Sequence, residues 1–384
     1  MHINMCISIC QDGDFICRAF IARLNYMIEL PRIDQAKDIS GKRVFVRGDI
    51  DAPLQFPISN SQFSKITDDT RLKDIWPTIE YLLKQNCQVV LAGHLGRPGG
   101  KVVPELSGRP VAEWFSQKMS NEQSSMGNQL AISDEKIGSF GGFRVSEDLA
   151  VLENLRFDSR EEKNDEGFAR ELASLAEVYV NESFAESHRE VASIVGVAKL
   201  LPHYGGFRLA KEVEVLSGIL ENPRRPLVVV IGGAKLETKL PVISKMAEVA
   251  DFVIVGGKLL SEIIVGSPIM AMEKVKLLRQ TENGKDCTLE SIDRCQTLLQ
   301  TAGTIVWNGP VGRIEDINYQ VGTKRLAELI VGSKSYKVIG GGDTVGFGDK
   351  LGLTDKFDWV SSGGGSMLRF LAGEELPGIT ALLT

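Results

Sequence analysis

Leu227-Val228-Val229-Val230-Ile231, followed at once by Gly232-Gly233-Ala234-Lys235 and then by Leu236-Glu237-Thr238-Lys239, is the stretch on which the fold turns. An unbroken run of apolar, mostly β-branched residues predicts a strand buried on both faces, because a strand with one wet face would alternate. The glycines end the run. From 236 to 249 the apolar positions recur at three and four, which predicts a helix. Strand, glycine turn and helix together are half of a βαβ unit. The same pattern extends in both directions, with strand-like runs at 44–46, 89–92, 178–180, 252–255, 304–307 and 337–339. Helical periodicity lies between them at 71–85, 166–176 and 323–330. Strands alternating with helices predict right-handed βαβ crossovers and parallel sheets covered on both faces. In such sheets ligands bind beyond the carboxyl ends of the strands, which is where most glycine clusters fall.

The alternation is interrupted at Leu201-Pro202-His203-Tyr204-Gly205-Gly206, resumes as a helix over 207–220, and restarts as a strand after Pro223 and Pro226. The expected fold is α/β: two Rossmann-like domains, each a mainly parallel sheet with helices on both faces, joined by a hinge helix. The expected division is 27–204, a connecting helix at 205–224, and 225–374, with 375–384 as a terminal segment. Residues 1–26 carry Asp12 and Asp14 where a signal peptide would be uninterrupted and lack a basic start. They read as an atypical, disordered extension or a mis-assigned start, with Met27 as the expected true start.

Composition narrows the function classes. The 384 residues carry 44 basic and 50 acidic side chains, a formal charge of −6 that argues against a broad nucleic-acid or anionic-membrane footprint. No apolar run reaches the roughly 18–20 residues that a membrane span needs. Cysteines at 6, 10, 17, 87, 287 and 295 form no C-x-x-C pair and have no histidine at ligand spacing, which argues against a zinc site or a disulfide framework and for a reduced, cytoplasmic compartment. Glycine is the outlier at 39 residues, roughly a tenth of the chain against a usual figure of about 7%.

In the first half, unusual polar residues follow the predicted strands directly. They are Arg47-Gly48-Asp49-Ile50-Asp51, His94-Leu95-Gly96-Arg97-Pro98, Arg156 in Glu153-Asn154-Leu155-Arg156-Phe157, and His188-Arg189. Arg71 closes Asp68-Asp69-Thr70-Arg71 at a helix start. A single arginine is more often a solvated surface residue; arginines from separate loops aimed at one crevice make a socket for a small polyanion. The second half supplies Lys235 and Lys239, one helical turn apart at a helix N-terminus, where free amides attract phosphate. Gly340-Gly341-Gly342-Asp343-Thr344 places a carboxylate where it could hold Mg2+ against nucleotide phosphates. Gly363-Gly364-Gly365 is a third glycine turn, and Trp307-Asn308-Gly309-Pro310-Val311-Gly312 reads as a loop stiffened by Pro and Gly. A lone glycine triplet is weak, since close strand-to-helix packing explains it equally well. Neither a Walker A loop nor a G-x-G-x-x-G fingerprint is present. Three such turns in one domain favour a mononucleotide, and an anion socket opposite a nucleotide site favours phosphoryl transfer without naming the acceptor.

RVFVRGDIDAPL, ITDDTRL, HLGRP, ENLRF, YVNESFAESHRE, GGAKLETK, VWNGPVG, GGGDT and SSGGGSMLRFLAGEELPG occur in this order. From about Met27 to the end the chain resembles the phosphoglycerate kinase family. The resemblance implies a hinge-bending, monomeric, cytoplasmic enzyme of glycolysis that moves a phosphoryl group between 1,3-bisphosphoglycerate and ADP, giving 3-phosphoglycerate and ATP. It implies acceptor binding by Asp49, Ile50, Asp51, Arg71, His94, Leu95, Gly96, Arg97, Arg156 and Arg189 in the domain 27–204. It implies nucleotide binding by Lys239, Asn308, Glu315, Gly341, Gly342, Asp343 and Thr344 in 225–374, with Asp343 near Mg2+. Arg71, Lys235 and Lys239 take the catalytic role, and 375–384 returns to the first domain. No nucleic-acid or membrane partner is implied.

The chain departs from the family at Gly48 and Asp51, at Glu182-Ser183-Phe184, at Gly256-Gly257-Lys258, at Asp286-Cys287-Thr288 and at Arg313. Asp51 in place of an amide adds negative charge beside an anionic ligand and predicts weaker acceptor binding. An alternative reading is a nucleotide-binding pseudo-enzyme or scaffold with impaired acceptor binding. A dinucleotide-dependent dehydrogenase shares the architecture but lacks the fingerprint. A locally positive field is expected in the cleft.

Overall fold

The computed structural model describes residues 28–56, 64–123, 131–263 and 267–384. The extension assigned to 1–26, with three of the cysteines, lies outside the described residues. In chain order the strands are β1 (Arg43–Gly48), β2 (Leu54–Gln55), β3 (Lys65–Ile66), β4 (Gln88–Ala92), β5 (Ser133–Ile137), β6 (Phe140–Arg144), β7 (Leu149–Leu152), β8 (Val178–Glu182) and β9 (His203–Gly205). They continue with β10 (Leu227–Ile231), β11 (Phe252–Val255), β12 (Val275–Leu277), β13 (Thr304–Asn308), β14 (Tyr336–Gly340) and β15 (Trp359–Ser361). One sheet has the order β5-β6-β7-β4-β1-β8-β9 and a second the order β12-β11-β10-β13-β14-β15; β2 and β3 form a small antiparallel pair. The second sheet is parallel throughout. The first is parallel except where β5, β6 and β7 pair antiparallel at one edge. The expected α/β architecture of two mainly parallel sheets is therefore present.

The unbroken apolar run at 227–231 is buried along its whole length. Alternate residues feed opposite faces: Val228 and Val230 join one core cluster, while Leu227, Val229 and Ile231 join another. β1 divides in the same way, with Phe45 on one face and Val44 and Val46 on the other. Each such side chain is worth about 1.5–3 kcal/mol when fully buried. The longer helices covering the sheets are α1 (Thr70–Lys84), α2 (Arg109–Gln123), α3 (Glu166–Ala173), α4 (Phe207–Glu221), α5 (Leu236–Val249), α6 (Val321–Val331), α7 (Gly342–Lys350) and α8 (Gly364–Leu371).

α4 lies between the two sheets in the chain, and both hold it. Its buried Leu209, Val213, Leu216 and Ile219 belong to a core cluster that also contains Phe45 of the first sheet and Val229 of the second. Its first amides have no intrahelical acceptor and need partners from outside. Thr78 of α1 accepts from the Phe207 amide at 2.9 Å, and Glu182 at the end of β8 accepts from the Arg208 and Leu209 amides at 3.0 and 3.1 Å. The Thr78 hydroxyl also donates to Glu182 at 2.5 Å. Glu182 is fully buried, and burial pushes its carboxyl up to about 7 against the pull of these donors. On the other side, buried Glu212 of α4 accepts from Trp359 Nε1 at 3.0 Å and from the Ser362 amide at 2.6 Å. Arg208 stacks on the Trp359 ring and donates to the Val360 carbonyl. The last residues pack on the first half: the Gly378 amide donates to the Ser187 carbonyl and Asn181 Nδ2 donates to the Gly378 carbonyl.

Removing the Glu182 carboxylate orphans the Arg208 and Leu209 amides together with one hydroxyl. Glu182→Ala is therefore expected to cost about 3 kcal/mol, read as a lower thermal unfolding midpoint by calorimetry. An unchanged midpoint would show that water or a shifted neighbour replaces the carboxylate.

Candidate active site

The carboxyl ends of β1, β4 and β8 bring the arginine loops of the first half together. Arg47, the fifth residue of β1, is buried at 1% exposure. Its Nε donates to Ser193 Oγ at 2.9 Å, and Ser193 in turn donates to the buried Glu161 carboxylate. Arg47 Nη2 lies 3.0 Å from His94 Nδ1. A guanidinium can only donate, so Nδ1 is the acceptor and the His94 proton resides on Nε2. Burial, reinforced by Arg47, Arg156, Arg189 and Arg71, holds the imidazole pKa well below its usual value. The ring is neutral, and its Nε2–H faces Asp51 Oδ2 and Glu186 Oε1, each 3.7 Å away.

The other arginines also have carboxylate partners. Arg71, in the first turn of α1, donates through Nη1 to both oxygens of buried Asp49 at 2.6 Å. Burial raises the Asp49 pKa despite this partner. Arg156, at 5% exposure, donates to Glu186 Oε2 at 2.8 Å and to the Gly96 carbonyl at 3.1 Å. Arg189 Nε is 3.3 Å from the same Glu186 oxygen but makes no hydrogen bond. Asp51 Oδ1 accepts from the Gly96 amide at 2.8 Å, tying the two loops together. Ile50 and Leu95 point their side chains into the core, so only their backbones can meet a ligand. Arg97 is exposed at the rim. Arg71, Arg156 and Arg189 each face a carboxylate, Glu186 serving two of them, while the four arginines around His94 still act together to lower its pKa.

The second cluster lines a cleft of about 690 Å³ at the ends of β10, β13 and β14. Lys239 Nζ donates to Asn308 Oδ1 at 2.6 Å. That contact fixes the amide so that Nδ2, buried without a hydrogen-bond partner, faces the glycine turns. Gly341 has φ +95°, a left-handed conformation open to glycine, and a Cβ on Gly364 would fall 2.5 Å from the Gly341 Cα. These two glycine turns therefore approach as closely as backbones can. Thr344 accepts from the Gly309 amide at 2.8 Å. Lys235 and Asp343 are exposed on the same cleft, each in the first turn of its helix or just before it. Burial lowers the Lys239 pKa to about 8, with Asp343 opposing the shift. His188, from the first half, lines the cleft too; its Nδ1 is 2.9 Å from Ser366 Oγ at the start of α8.

Glu315 does not join this group: it is exposed in a turn and does not line the cleft. The departures at 256–258 and 286–288 meet one another, with the Gly257 amide donating to Cys287 Sγ at 3.5 Å, while Thr288 caps a short helix, Leu289–Asp293. Among the described residues no group of three or more His, Cys, Asp or Glu could by itself hold a metal. Asp343, an exposed carboxylate on a cleft that Glu374 also lines, fits Mg2+ brought with a nucleotide, since that ion keeps waters and phosphate oxygens among its ligands.

The family model described as phosphoglycerate kinase matches residues 33–270 and 261–374. This chain belongs to the phosphoglycerate kinase family. It is 34% identical to the phosphoglycerate kinase of Borreliella burgdorferi, covering 91% of this chain and 99% of that one. It is 36% identical to that of Roseiflexus castenholzii, covering 90% and 97%. Among solved structures, the phosphoglycerate kinase of Coxiella burnetii superposes with a TM-score of 0.75 at 30% identity, covering 92% of this chain and 99% of that one. The enzyme from Pyrococcus horikoshii gives 0.71 at 26%, covering 92% and 98%. The chain is thus a glycolytic phosphotransferase that interconverts 1,3-bisphosphoglycerate and ADP with 3-phosphoglycerate and ATP.

Three residues that meet in the first cluster, Arg47, Ser193 and Glu186, carry little signal in the sequence. Arg47 gives one signal, since a charged residue inside an apolar strand needs a buried partner. Ser193 carries no local signal. Glu186 stands three residues before Arg189 and resembles an ordinary surface pair.

The lowered Lys239 pKa has a consequence. Phosphate binding needs the ammonium, and in the free enzyme that form is lost as pH rises through about 8. Nucleotide binding should therefore weaken from pH 7 to pH 9 and should take up a proton at the upper end. Calorimetry of ADP binding in buffers of different ionisation enthalpy reads this uptake; Lys239→Met should abolish it, and proton-neutral binding by the wild type at pH 9 would contradict the assignment.

Proposed function

We propose that the two clusters are the two half-sites of the kinase reaction. The socket of Asp49, Asp51, Arg71, His94, Arg97, Arg156 and Arg189, with the backbone of Ile50, Leu95 and Gly96, takes 3-phosphoglycerate. The cleft of Lys235, Lys239, Asn308, Gly341, Gly342, Asp343 and Thr344 takes ATP or ADP. The observation that carries this reading is the partnerless Asn308 Nδ2, held beside Lys239 and facing the close-packed glycine turns. A buried donor without a protein acceptor points to a ligand oxygen. Glu315, exposed in the turn after β13, belongs to the nucleotide set of the same reading.

In the ATP-consuming direction a carboxylate oxygen of 3-phosphoglycerate attacks the γ-phosphorus, the bond to the β,γ-bridging oxygen breaks, and ADP leaves. The attacking group is already deprotonated at neutral pH, so neutral His94 binds as a donor through Nε2–H rather than acting as a base. Arg71 engages its protein partner through Nη1 alone, and the rest of its fork is free for the oxygens of the transferring group. Lys239 and Lys235 neutralise the same charge from the other half, the kind of positioning and charge compensation that phosphoryl transfer requires. Bound with the nucleotide, Mg2+ would neutralise phosphate charge, and Asp343 is the residue placed to hold it. The assignment of 27–204 and 225–374 as lobes around 205–224 belongs to the same reading, as do closure of the lobes on ligand, a monomeric state and a cytoplasmic setting. Cys87, Cys287 and Cys295, all buried and free, support a reduced compartment.

A coupled assay supplying 3-phosphoglycerate and ATP should show turnover that chelation of Mg2+ abolishes. Arg71→Ala and Lys239→Met should each lower kcat by about 100-fold or more. Full turnover in either variant would remove that residue from the transfer step.

A further inference from the structure

Glu186 lies against two arginines of the acceptor socket and its neutral imidazole at once. Its side chain is 12% exposed and sits among Arg156 at 2.8 Å, Arg189 at 3.3 Å and His94 Nε2 at 3.7 Å. Asp49 is engaged with Arg71 and Glu161 with Ser193 beneath Arg47, while the more exposed Glu162 lies 3.5 Å from Arg156 Nε and does not pair with Arg189. Glu186 therefore occupies, from within the chain, the position that a bound anion would take between Arg156 and Arg189. We propose that Glu186 is a resident counter-ion that sets the affinity and the anion selectivity of the acceptor site. The proposal rests on the assignment of this socket to 3-phosphoglycerate.

Binding at this pair is an exchange of anions. A ligand with a single anionic group that displaces Glu186 replaces one ion pair by another and leaves a largely buried carboxylate without its partners. Such a ligand gains little. A ligand with a carboxylate and a phosphate brings a second charged group to Arg71, Arg97 or the His94 donor, and that surplus drives binding. Glu186 thus disfavours small anions and raises the KM for the true acceptor. Because its repulsion acts equally on the bound ground state and the transition state, it alters KM without altering kcat.

Glu186→Gln keeps an oxygen for the Arg156 hydrogen bond and removes the charge. The KM for 3-phosphoglycerate is expected to fall about tenfold, the change that 1.4 kcal/mol produces, with kcat and the KM for ATP unchanged. Inorganic sulfate, used as the small-anion probe, should become a stronger inhibitor competitive with 3-phosphoglycerate. Glu186→Ala should move both quantities in the same direction, which covers the case in which the glutamine variant folds poorly. An unchanged or raised KM in both variants would overturn the proposal and leave Glu186 as a support for Arg156. Arg156→Ala separates this failure from failure of the underlying assignment: it should raise the KM for 3-phosphoglycerate in the wild-type background. If Arg156→Ala leaves that KM unchanged, the socket is not the acceptor site and the proposal falls with it.

Discussion

The amino end of α4 is the constraint on which the arrangement depends. A helix that leaves a sheet exposes amides that must find acceptors, and here Thr78 and Glu182 supply them from inside the first half. The same helix presents Glu212 and Arg208 to Trp359, Val360 and Ser362 of the second. One apolar face of each sheet and the buried side of this helix thus belong to a single core cluster. Strand ends that carry proposed ligand groups adjoin the helix. Glu182 closes β8, and the turn that follows carries Glu186, His188 and Arg189. Thr78 stands on α1, whose first turn carries Arg71. Ligand groups and helix anchors therefore share the same elements.

The second governing feature is charge compensation. Cations cannot be gathered in a part-buried crevice without partners, because each would pay a desolvation cost unopposed. Arg71 and the Arg156–Arg189 pair each face a carboxylate, Arg47 reaches Glu161 through Ser193, and His94 stays neutral with its proton directed by Arg47. On the nucleotide side the compensation is different. Lys239 has no close carboxylate and responds by a lowered pKa, while Asn308 Nδ2 is left without an acceptor. One cluster holds its cations in ion pairs, and the other leaves a lysine and an amide without charged or hydrogen-bonding acceptors for their remaining donors.

Much of this was legible in the sequence because the central strands of parallel sheets are buried on both faces and read as continuous apolar runs. β10 and β11 fall where the pattern put them, and β1, β4, β8, β13 and β14 differ only at their ends. The β5–β6 edge pair escaped notice: Ser133-Asp134-Glu135-Lys136-Ile137 is mostly charged and exposed, as an edge strand tolerates and a pattern search does not recognise. α7 and α8 were read as glycine turns because Gly342, Gly346 and Gly364 oppose helix formation, and tertiary packing overrides that preference. In the site, residue types at strand ends were legible, whereas partners were not. That Arg156 and Arg189 meet over Glu186, and that Lys239 orients Asn308, depends on side chains distant in sequence converging.

The central claim is that α4 holds two half-sites which act only when the lobes close on both ligands. Small-angle scattering of the protein alone, with 3-phosphoglycerate, with MgADP, and with both together tests it directly. The account predicts a smaller radius of gyration for the ternary complex than for either binary complex. Identical profiles in all four states, with calorimetry showing both ligands bound, would contradict it.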